Sequence, residues 1–320
     1  MNPRTFLRFV ENALATVMDR WERPPTPAQL ALAERLKSDL AALLAAQQAG
    51  EGSAFWTGIC ADLHRLATEA DPLFFMRWPS IGATMVHGAT LGTYQTWWRL
   101  RRSADWRRVW RPALRHKQFG HPPPFPPMLS TNAMAIEHAA HLVRYRQDTG
   151  SDFHAADAII EFGGGFGSMC RLVRALGFRG TYIIFDLPPI LALQRFYLGM
   201  HGIAADGTGR EAVWLCPDLD LIRQRVAGMQ SERVSLISTW ALSEMPLAVR
   251  DRVTPLFGSE ACAKVLMAYQ PSFEGNDNRR YFSDLVAGTA DRWTWRQTPV
   301  DRPDRPPSSR DSLYVFGVRR

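Results

Sequence analysis

The feature that most constrains the fold is a run of glycines directly after a short apolar stretch. Residues 158–162 are Ala-Ile-Ile-Glu-Phe, which is typical of a buried strand, and residues 163–167 are Gly-Gly-Gly-Phe-Gly. Glycine is needed where the backbone turns sharply or lets a ligand lie against it. The helix that we expect to start near Ser168 would present free N–H groups and a positive dipole end to that ligand. The stretch therefore predicts a strand, a ligand-binding turn and a helix.

The chain after residue 150 alternates short β-rich runs with helical stretches. This alternation predicts βαβ units and a parallel sheet with helices on both faces. The predicted strands are 158–162, 182–185, 212–215, 234–238 and 264–268, and the predicted helices are 168–176, 189–201, 218–228 and 246–257. Two last strands, 293–300 and 313–318, are joined by a loop rich in Pro and Asp. A closing hairpin there would add an antiparallel strand, so we expect an α/β, Rossmann-like, mostly parallel sheet.

The first 127 residues are predicted to be helical. Apolar residues recur at helical spacing over 6–21, and a second helix is expected to start at Thr26, with Pro27 in its first turn. Ser53 is a candidate cap for a third helix. The proline-rich stretch 121–127 indicates an extended connector. We therefore divide the chain into a helical N-terminal region, 1–127, and a domain that carries the sheet, 128–320.

Three details indicate which ligand the glycine turn binds. The glycines have the spacing GxGxG, whereas the dinucleotide fingerprint GxGxxG would require glycine where Ser168 stands. Glu161 precedes the first glycine by two residues, where a carboxylate can face the ammonium of an aminoacyl group. Asp186 follows the second strand, where an acid accepts hydrogen bonds from ribose hydroxyls. S-adenosylmethionine (SAM) satisfies all three details; NAD(P), or a site that has lost its ligand, is the alternative.

The remaining strand ends should complete the SAM site, because ligands of open parallel sheets lie at the carboxyl ends of the strands. Asp218 follows the third strand and could meet the adenine, or it could cap the next helix. Ser238 and Thr239 follow the fourth strand, near the expected position of the transferred methyl group. The predicted cofactor contacts are Glu161, Gly163, Gly164, Gly165, Gly167, Asp186, Leu187, Asp218, Ser238 and Thr239.

Three segments together resemble the bacterial sugar O-methyltransferases, a family of class I SAM-dependent methyltransferases. They are the turn at 161–167, the Asp186-Leu187-Pro188 strand end and the segment 238–246, which contains Ser243-Glu244-Met245. The resemblance covers about residues 128–290. It implies the class I methyltransferase fold and O-methylation of a saccharide, in cell-surface glycan or glycolipid synthesis. The N-terminal region matches only loosely, and it would hold acceptor specificity, a lid or an oligomer contact.

A hydroxyl acceptor calls for a general base, which typically adds about 100- to 10,000-fold in rate. Glu244 is our first candidate, because it lies just beyond the fourth strand; it could instead favour the first turn of a helix. His138 is the second candidate, on the same helix face as His141. Glu274 and Asp277 flank a Gly-Asn turn, which favours a structural role. Asp218 and Asp220 are explained by a helix start, so we predict no metal.

The net charge is +7, and almost all of the positive charge is Arg. The segment 97–117 is dense in Arg and Trp. It fits a solvated helix face with buried Trp, or a site for a phosphate-bearing acceptor, an anionic membrane surface or RNA. The alternative functions are therefore an RNA or protein methyltransferase and a non-catalytic SAM-binding module. Ser238-Thr239-Trp240-Ala241 is not an N-P-P-Y type segment, which makes nucleic acid the less favoured acceptor.

The bulk composition favours an ordinary globular protein in a reducing compartment. The four cysteines are isolated in sequence, and free thiols fit such a compartment. No window of about 18 apolar residues predicts a transmembrane helix, and no secretory signal is evident. We expect a cytoplasmic protein that acts on a small-molecule or glycan acceptor. A homo-oligomer is compatible with the sequence.

Overall fold

The computed structural model describes residues 24–46, 50–205, 211–229, 233–300 and 311–320, with the single positions 10, 13, 14, 207 and 209. The helix predicted over 6–21 lies outside this part of the chain, apart from three isolated positions.

One seven-stranded sheet organises the described chain. Its strands are β1 (Ala158–Phe162), β2 (Thr181–Phe185), β3 (Val213–Cys216), β4 (Val234–Thr239), β5 (Cys262–Tyr269), β8 (Trp293–Pro299) and β9 (Leu313–Arg319). Their order is β3-β2-β1-β4-β5-β9-β8. The first five strands run parallel, and β9 is antiparallel to both β5 and β8. The predicted α/β class and the antiparallel closing hairpin are confirmed. A small hairpin, β6 (Ser272–Phe273) with β7 (Asn276–Asp277), was not predicted as strands.

Helices cover both faces of this sheet. The N-terminal ones are α1 (Pro27–Ala45), α2 (Ala54–Glu69), α3 (Pro79–Thr84), α4 (Leu91–Arg102) and α5 (Arg111–Leu114), with a 3₁₀ turn at Pro72–Arg77 and a π turn at Trp106–Trp110. The later ones are α6 (Ala133–Thr149), α7 (Ser168–Ala175), α8 (Pro188–Met200), α9 (Leu219–Ala227), α10 (Ala241–Glu244), α11 (Leu247–Gly258) and α12 (Asn278–Gly288). The helices predicted between the strands are thus present to within two residues at each end.

The first turns of the helices test the capping residues that the sequence predicted. Thr26 and Gln29 form a reciprocal capping box at α1, and Pro27 is the first helical residue, as predicted. Asn132 caps α6 by accepting from the Ala135 N–H at 3.0 Å. The predicted cap at Ser53 was wrong in mechanism: α2 begins there, but its hydroxyl makes no capping hydrogen bond.

Two apolar clusters form the core, one on each face of the sheet. Side chains alternate between them along a strand, as a period of two requires: Ile159 packs into one cluster, and Ile160 into the other. The N-terminal helices contribute Leu36, Leu63 and other residues to the first cluster, which also contains α6, α7 and α8. The predicted boundary after residue 127 therefore separates two sequence regions that share one core.

The Arg- and Trp-rich segment has one deeply buried indole. Trp110 is 6% exposed, whereas Trp98 is 45% exposed. The Arg102 guanidinium lies 4.7 Å from the Trp98 ring centroid, a cation–π contact at the surface. The prediction of buried tryptophans with solvated arginines thus describes Trp110 and not Trp98.

Candidate active site

A cavity of about 680 Å³ opens at the carboxyl edge of the parallel strands. That volume is within the range of small-molecule sites, and its position is where open α/β sheets bind ligands. The turn after β1, the end of β2 and the end of β4 form its floor. The loop at 50–56 and the start of α6 also line it, so the N-terminal region contributes residues to a cavity at the sheet edge.

The glycine turn is shaped both by packing and by open space. Gly163 has φ +70°, and a Cβ there would lie 2.0 Å from the Cβ of Ala241, so a side chain is excluded by α10. Gly165 has φ +55°, yet no atom lies within 4 Å of the position of its Cβ. Its bare backbone borders the cavity. Such a cradle fits a ligand that lies directly on the backbone.

Glu161 is a buried carboxylate at the cavity floor, 2% exposed. Its Oε2 accepts a hydrogen bond from the Tyr182 hydroxyl at 2.8 Å. Burial, and then the nearby charge of Asp186, raise the pKa of Glu161 to about 8, against the Tyr182 hydrogen bond. A cationic ligand group would stabilise the ionised form, which is what the predicted ammonium contact requires.

Asp186 is fixed at the end of β2. Its Oδ1 accepts from the Leu187 N–H at 2.9 Å, and its Oδ2 accepts from Gln194 Nε2 at 2.7 Å. Burial raises the pKa of Asp186 to about 7 despite these hydrogen bonds. Gln194 also donates to the Gly165 carbonyl at 2.9 Å and so ties the acid to the glycine turn. Sequence reasoning missed Gln194; its signal was a polar residue in the apolar helix α8.

Most of the other predicted cofactor residues also reach this cavity. Gly164, Leu187, Asp218 and Thr239 line it. Asp218 caps α9, because its Oδ1 accepts from the Asp220 N–H at 2.8 Å. The capping interpretation of Asp218 is therefore confirmed, and its position leaves the adenine contact as a prediction.

Two predicted cofactor residues are placed elsewhere. Ser238 belongs to β4 and is 1% exposed; its hydroxyl accepts from the Leu242 N–H at 3.0 Å and so joins the strand to α10. Gly167 has φ +96° and stands at the start of α7, with Leu198 3.3 Å from where its Cβ would be. Both residues hold the turn in place, and neither borders the cavity.

Trp240, directly after β4, has an unusual backbone conformation. It has φ +80°, which costs a non-glycine residue about 1–3 kcal/mol and persists only where the surroundings hold it. Its N–H donates to the Ala268 carbonyl at 2.7 Å, and its carbonyl accepts from the Ser243 N–H at 2.9 Å. Trp240 lines the cavity directly after β4.

Glu244, the first candidate base, faces this end of the cavity. Its Oε2 accepts from Trp56 Nε1 at 2.8 Å, and its Oε1 accepts from Gln270 Nε2 at 3.1 Å. The indole comes from α2, so the N-terminal region positions a carboxylate of the sheet domain. Neither Trp56 nor Gln270 was singled out in the sequence, because both contacts span more than 20 residues of chain.

Both histidines of α6, His138 and His141, line the cavity, as the base hypothesis needs for His138. His141 is buried, and its Nδ1 lies 2.7 Å from the Tyr314 hydroxyl. Glu137, which sequence reasoning missed, also lines the cavity, and its Oε2 lies 3.2 Å from His87 Nε2.

Seven carboxyl groups lie in the otherwise largely apolar cavity wall. The lining carboxylates are Glu51, Glu137, Glu161, Asp186, Asp218, Asp220 and Glu244. Arg252 is the single lysine or arginine among the described lining residues. It is engaged by Glu51 at 2.7 Å and by Asp220 at 3.2 Å. Where these carboxyl groups are ionised, their charge would favour a cation such as a sulfonium over phosphate.

The remaining acids have structural partners. Glu274 Oε1 accepts from the Phe55 N–H at 2.8 Å, and Asp277 caps α12 through the Arg280 N–H at 3.0 Å. In the part of the chain that the structure covers, no group of three or more His, Cys, Asp or Glu side chains is arranged to hold a metal ion.

Comparison with known proteins gave structural likeness only. No protein-family model matches the chain, and no curated protein matches it. Similar solved structures include the methyltransferase domain of bacterial CtHen1, with 12% identity and a TM-score of 0.39 over 57% of this chain and 97% of that one. The 23S rRNA methyltransferase ErmE has 14% identity and a TM-score of 0.35 over 57% and 68% of the two chains. The small RNA methyltransferase HEN1 has 13% identity and a TM-score of 0.39 over 57% and 25%.

The strand order decides the fold. Five parallel strands in the order β3-β2-β1-β4-β5 are followed by the antiparallel β9, which lies between β5 and β8. The chain has the class I methyltransferase fold. Methyltransferases of this class take the methyl group from SAM, and the cradle at Gly165 with the two buried carboxylates fits that cofactor. In the described residues, no helix is long and apolar enough to cross a membrane.

Proposed function

We propose that this methyltransferase transfers a methyl group from SAM to a hydroxyl of a sugar or related glycan acceptor. One observation carries the proposal: a single cavity joins the cofactor cradle to an acceptor end lined by aromatic rings and carboxylates. Bound SAM supplies an electrophilic methyl group on a sulfonium. The chain's own residues bind the two ligands and align them, and alignment can contribute up to roughly 7–11 kcal/mol.

The cofactor half of the cavity would hold SAM by charge and by backbone shape. Glu161 accepts from the ammonium, Asp186 from the ribose hydroxyls, and the backbone at Gly165 leaves room for the aminoacyl part. Burial has raised the pKa of both carboxyl groups. Contact with a cationic or hydroxyl donor offsets that cost, because it favours the ionised form.

The acceptor half suits a neutral polyol. Phe55, Trp56, Trp240 and Phe273 give it aromatic surface, on which the C–H faces of a sugar ring can pack. Carboxylates accept hydrogen bonds only, so they pair with hydroxyl donors and reject phosphate oxygens. This combination favours a sugar hydroxyl over a nucleic-acid backbone inside the cavity.

Glu244 is the proposed base. It borders the cavity beside Trp240, and its two oxygens are held by Trp56 and Gln270. A carboxylate fixed from both sides can take a proton from the acceptor hydroxyl without reorganising. His138 is the second candidate, since it lines the same wall.

RNA methylation is the second candidate function. The net charge of +7 and the basic segment 97–117 favour contact with a polyanion outside the cavity. In that case only a nucleoside hydroxyl or base would enter, because the cavity itself is acidic.

The test is methyl transfer with the full chain and SAM labelled in the methyl group. Separate reactions contain neutral mono- and oligosaccharides or single-stranded RNA, and calorimetry first measures binding of SAM and of its demethylated product. We expect both cofactor forms to bind and the label to appear in a sugar. Label in RNA alone would reject the sugar acceptor, and an absence of cofactor binding would reject the whole proposal.

A further inference from the structure

A second cavity, of about 600 Å³, lies behind the glycine turn. It is formed by the chain at 115–119, by α7 and by the end of α8 with the residues that follow it. Ser168 begins α7 at the first cavity, and Arg171 and Arg174 on the same helix line the second. The two cavities therefore share one helix and have separate walls.

Positive charge is concentrated around this second cavity. Its lining contains Arg115, Lys117, Arg171 and Arg174, and none of its lining residues among those described is acidic. Arg115 and Lys117 are exposed at the rim. Neither is joined to a carboxylate in the ion pairs of the described residues, in contrast to Arg252 of the first cavity.

Arg171 is the buried member of this group, at 4% exposure. Its Nη1 donates to the Ala113 carbonyl at 3.0 Å. Its Nε and Nη2 have no hydrogen-bond partner among the described residues. Removing a charge from water costs several kcal/mol unless an opposite charge and hydrogen bonds compensate. Among the described residues no carboxylate pairs with this cation, and the Tyr197 hydroxyl is the neighbouring group that interacts with it.

Backbone carbonyls outside α7 account for one of these cations. Arg174 donates to the carbonyls of Phe178, Glu211 and Ala212. Arg171 lies earlier in the helix and makes no such set of contacts. His201, the residue after α8, also has a buried Nε2 without a partner in the described chain.

We propose that this second cavity binds the phosphate group of a small phosphate monoester. Arg115 and Lys117 would pair with the phosphate from the rim, and the charge of Arg171, whose Nε and Nη2 are shielded from solvent, would raise the positive potential beneath it. A concave site with cations on several sides suits a compact dianion, whereas a diester strand runs along an open basic surface. This site is independent of the proposed methyl acceptor.

The buried histidines give supporting evidence. The pKa of His201 is lowered to about 3, by burial first and then by the charges of Arg171 and Lys117. The pKa of His116 is lowered well below its usual value, by burial and then by Arg171. Burial is the larger cause for both rings, and the charge of Arg171 adds to it, so both pKa values are consistent with cationic groups close to this cavity.

The experiment is calorimetry of the full chain with inorganic phosphate, phenyl phosphate and dimethyl phosphate at constant ionic strength. Lys117→Gln and Arg115→Gln each remove one exposed cation, and Arg171→Met removes the buried one. Arg179→Gln is the matched control, because Arg179 is exposed and outside the cavity. Inorganic phosphate and phenyl phosphate can carry two negative charges, and we expect both to bind at one site. Dimethyl phosphate carries one charge, and we expect it to bind at least tenfold more weakly.

Each rim variant should weaken phosphate binding about tenfold, and Arg179→Gln should leave it unchanged. SAM affinity should stay constant in all of them, which also reports that each variant is folded. If Arg171→Met does not fold, the two rim variants decide. Phosphate that does not bind the wild type, or binds Lys117→Gln and Arg115→Gln equally well, would overturn the proposal. So would a site that takes only single-stranded RNA.

Discussion

The two cavities of this protein have opposite charge, although one helix contributes to both. The first is lined by carboxylates whose pKa values are raised to about 8 at Glu161 and about 7 at Asp186. The second is lined by cations, and the pKa of His201 is lowered to about 3. In both cases burial disfavours the charged form of the titrating group. The first cavity would therefore be stabilised by a positively charged ligand group, and the second by a negatively charged one.

Replacing the candidate base should have the largest effect. Glu244→Gln keeps the size of the side chain and its contact with Trp56 Nε1, but it removes the proton acceptor. We expect kcat for methyl transfer to fall about 100- to 10,000-fold, with SAM affinity unchanged. Steady-state kinetics and calorimetry on the same protein measure the two quantities.

Two further variants sharpen that result. Trp56→Phe removes only the indole donor to Glu244, so kcat should fall by less than in Glu244→Gln. His138→Gln tests the second candidate base. A Glu244→Gln enzyme that turns over at the wild-type rate would exclude Glu244, and a large loss in His138→Gln would transfer the role to that histidine.

Loss of the ribose acceptor should have the next largest effect. Asp186→Ala removes a carboxylate that would receive two hydroxyl donors, and hydrogen bonds to charged groups contribute about 1.5–3 kcal/mol each. SAM affinity should therefore fall about 100-fold or more, while phosphate affinity at the second cavity stays constant. Equal affinity for SAM in this variant would remove the ribose assignment.

The acidic cavity also predicts a pH dependence of cofactor binding. The pKa values of Glu161 and Asp186 are raised to about 8 and 7 in the free fold, and SAM favours their ionised forms. SAM affinity should therefore rise about tenfold or more from pH 6 to 7.5, with proton release on binding. Calorimetry in buffers of different ionisation enthalpy measures both. An affinity that falls over this range would contradict ionisation of these two groups in the complex.

The raised pKa values of Glu161 and Asp186 have the opposite effect on the stability of the ligand-free protein: stability falls as pH rises. Both carboxyl groups have lower pKa values in the unfolded chain, so this contribution to stability is present at low pH and is lost as pH rises through 7 to 8. Thermal melts with and without SAM over this range separate the two effects, because the cofactor restores stability where the free fold loses it.

Much of the fold could be predicted because it depends on local patterns. β1 is placed at the residues predicted, and the turn after it needs glycines whatever the rest of the chain does. The hairpin of β6 and β7 was missed, since each strand has only two residues. α12 was missed because its apolar pattern is short.

The candidate site could be predicted in part, and the misses have two causes. Glu161 and Asp186 follow from their place at strand ends. Ser238 was assigned to the cofactor because it was taken to lie beyond β4; it lies within the strand, and its hydroxyl bonds to α10. Trp56, Gln194 and Arg171 reach the cavities only through contacts between distant segments. No local pattern distinguishes such a residue from an ordinary helix position.

The smallest expected effect is on the free energy of unfolding when Arg171 in the second cavity is replaced. This variant tests directly whether the two cavities differ in the charge that they need. Arg171→Met replaces a buried, uncompensated cation by an apolar side chain of similar length, at the loss of one hydrogen bond to Ala113. Replacing a whole buried ion pair with apolar groups is often neutral or stabilising by about 1–4 kcal/mol, and a buried cation without a carboxylate partner has the same kind of desolvation cost. We expect the free energy of unfolding to rise by about 1 kcal/mol without phosphate, and phosphate to stabilise the wild type alone. Denaturant unfolding with and without inorganic phosphate measures this. If Arg171→Met is less stable in both conditions by the same amount, Arg171 is a structural residue, and the charge of the second cavity needs no ligand.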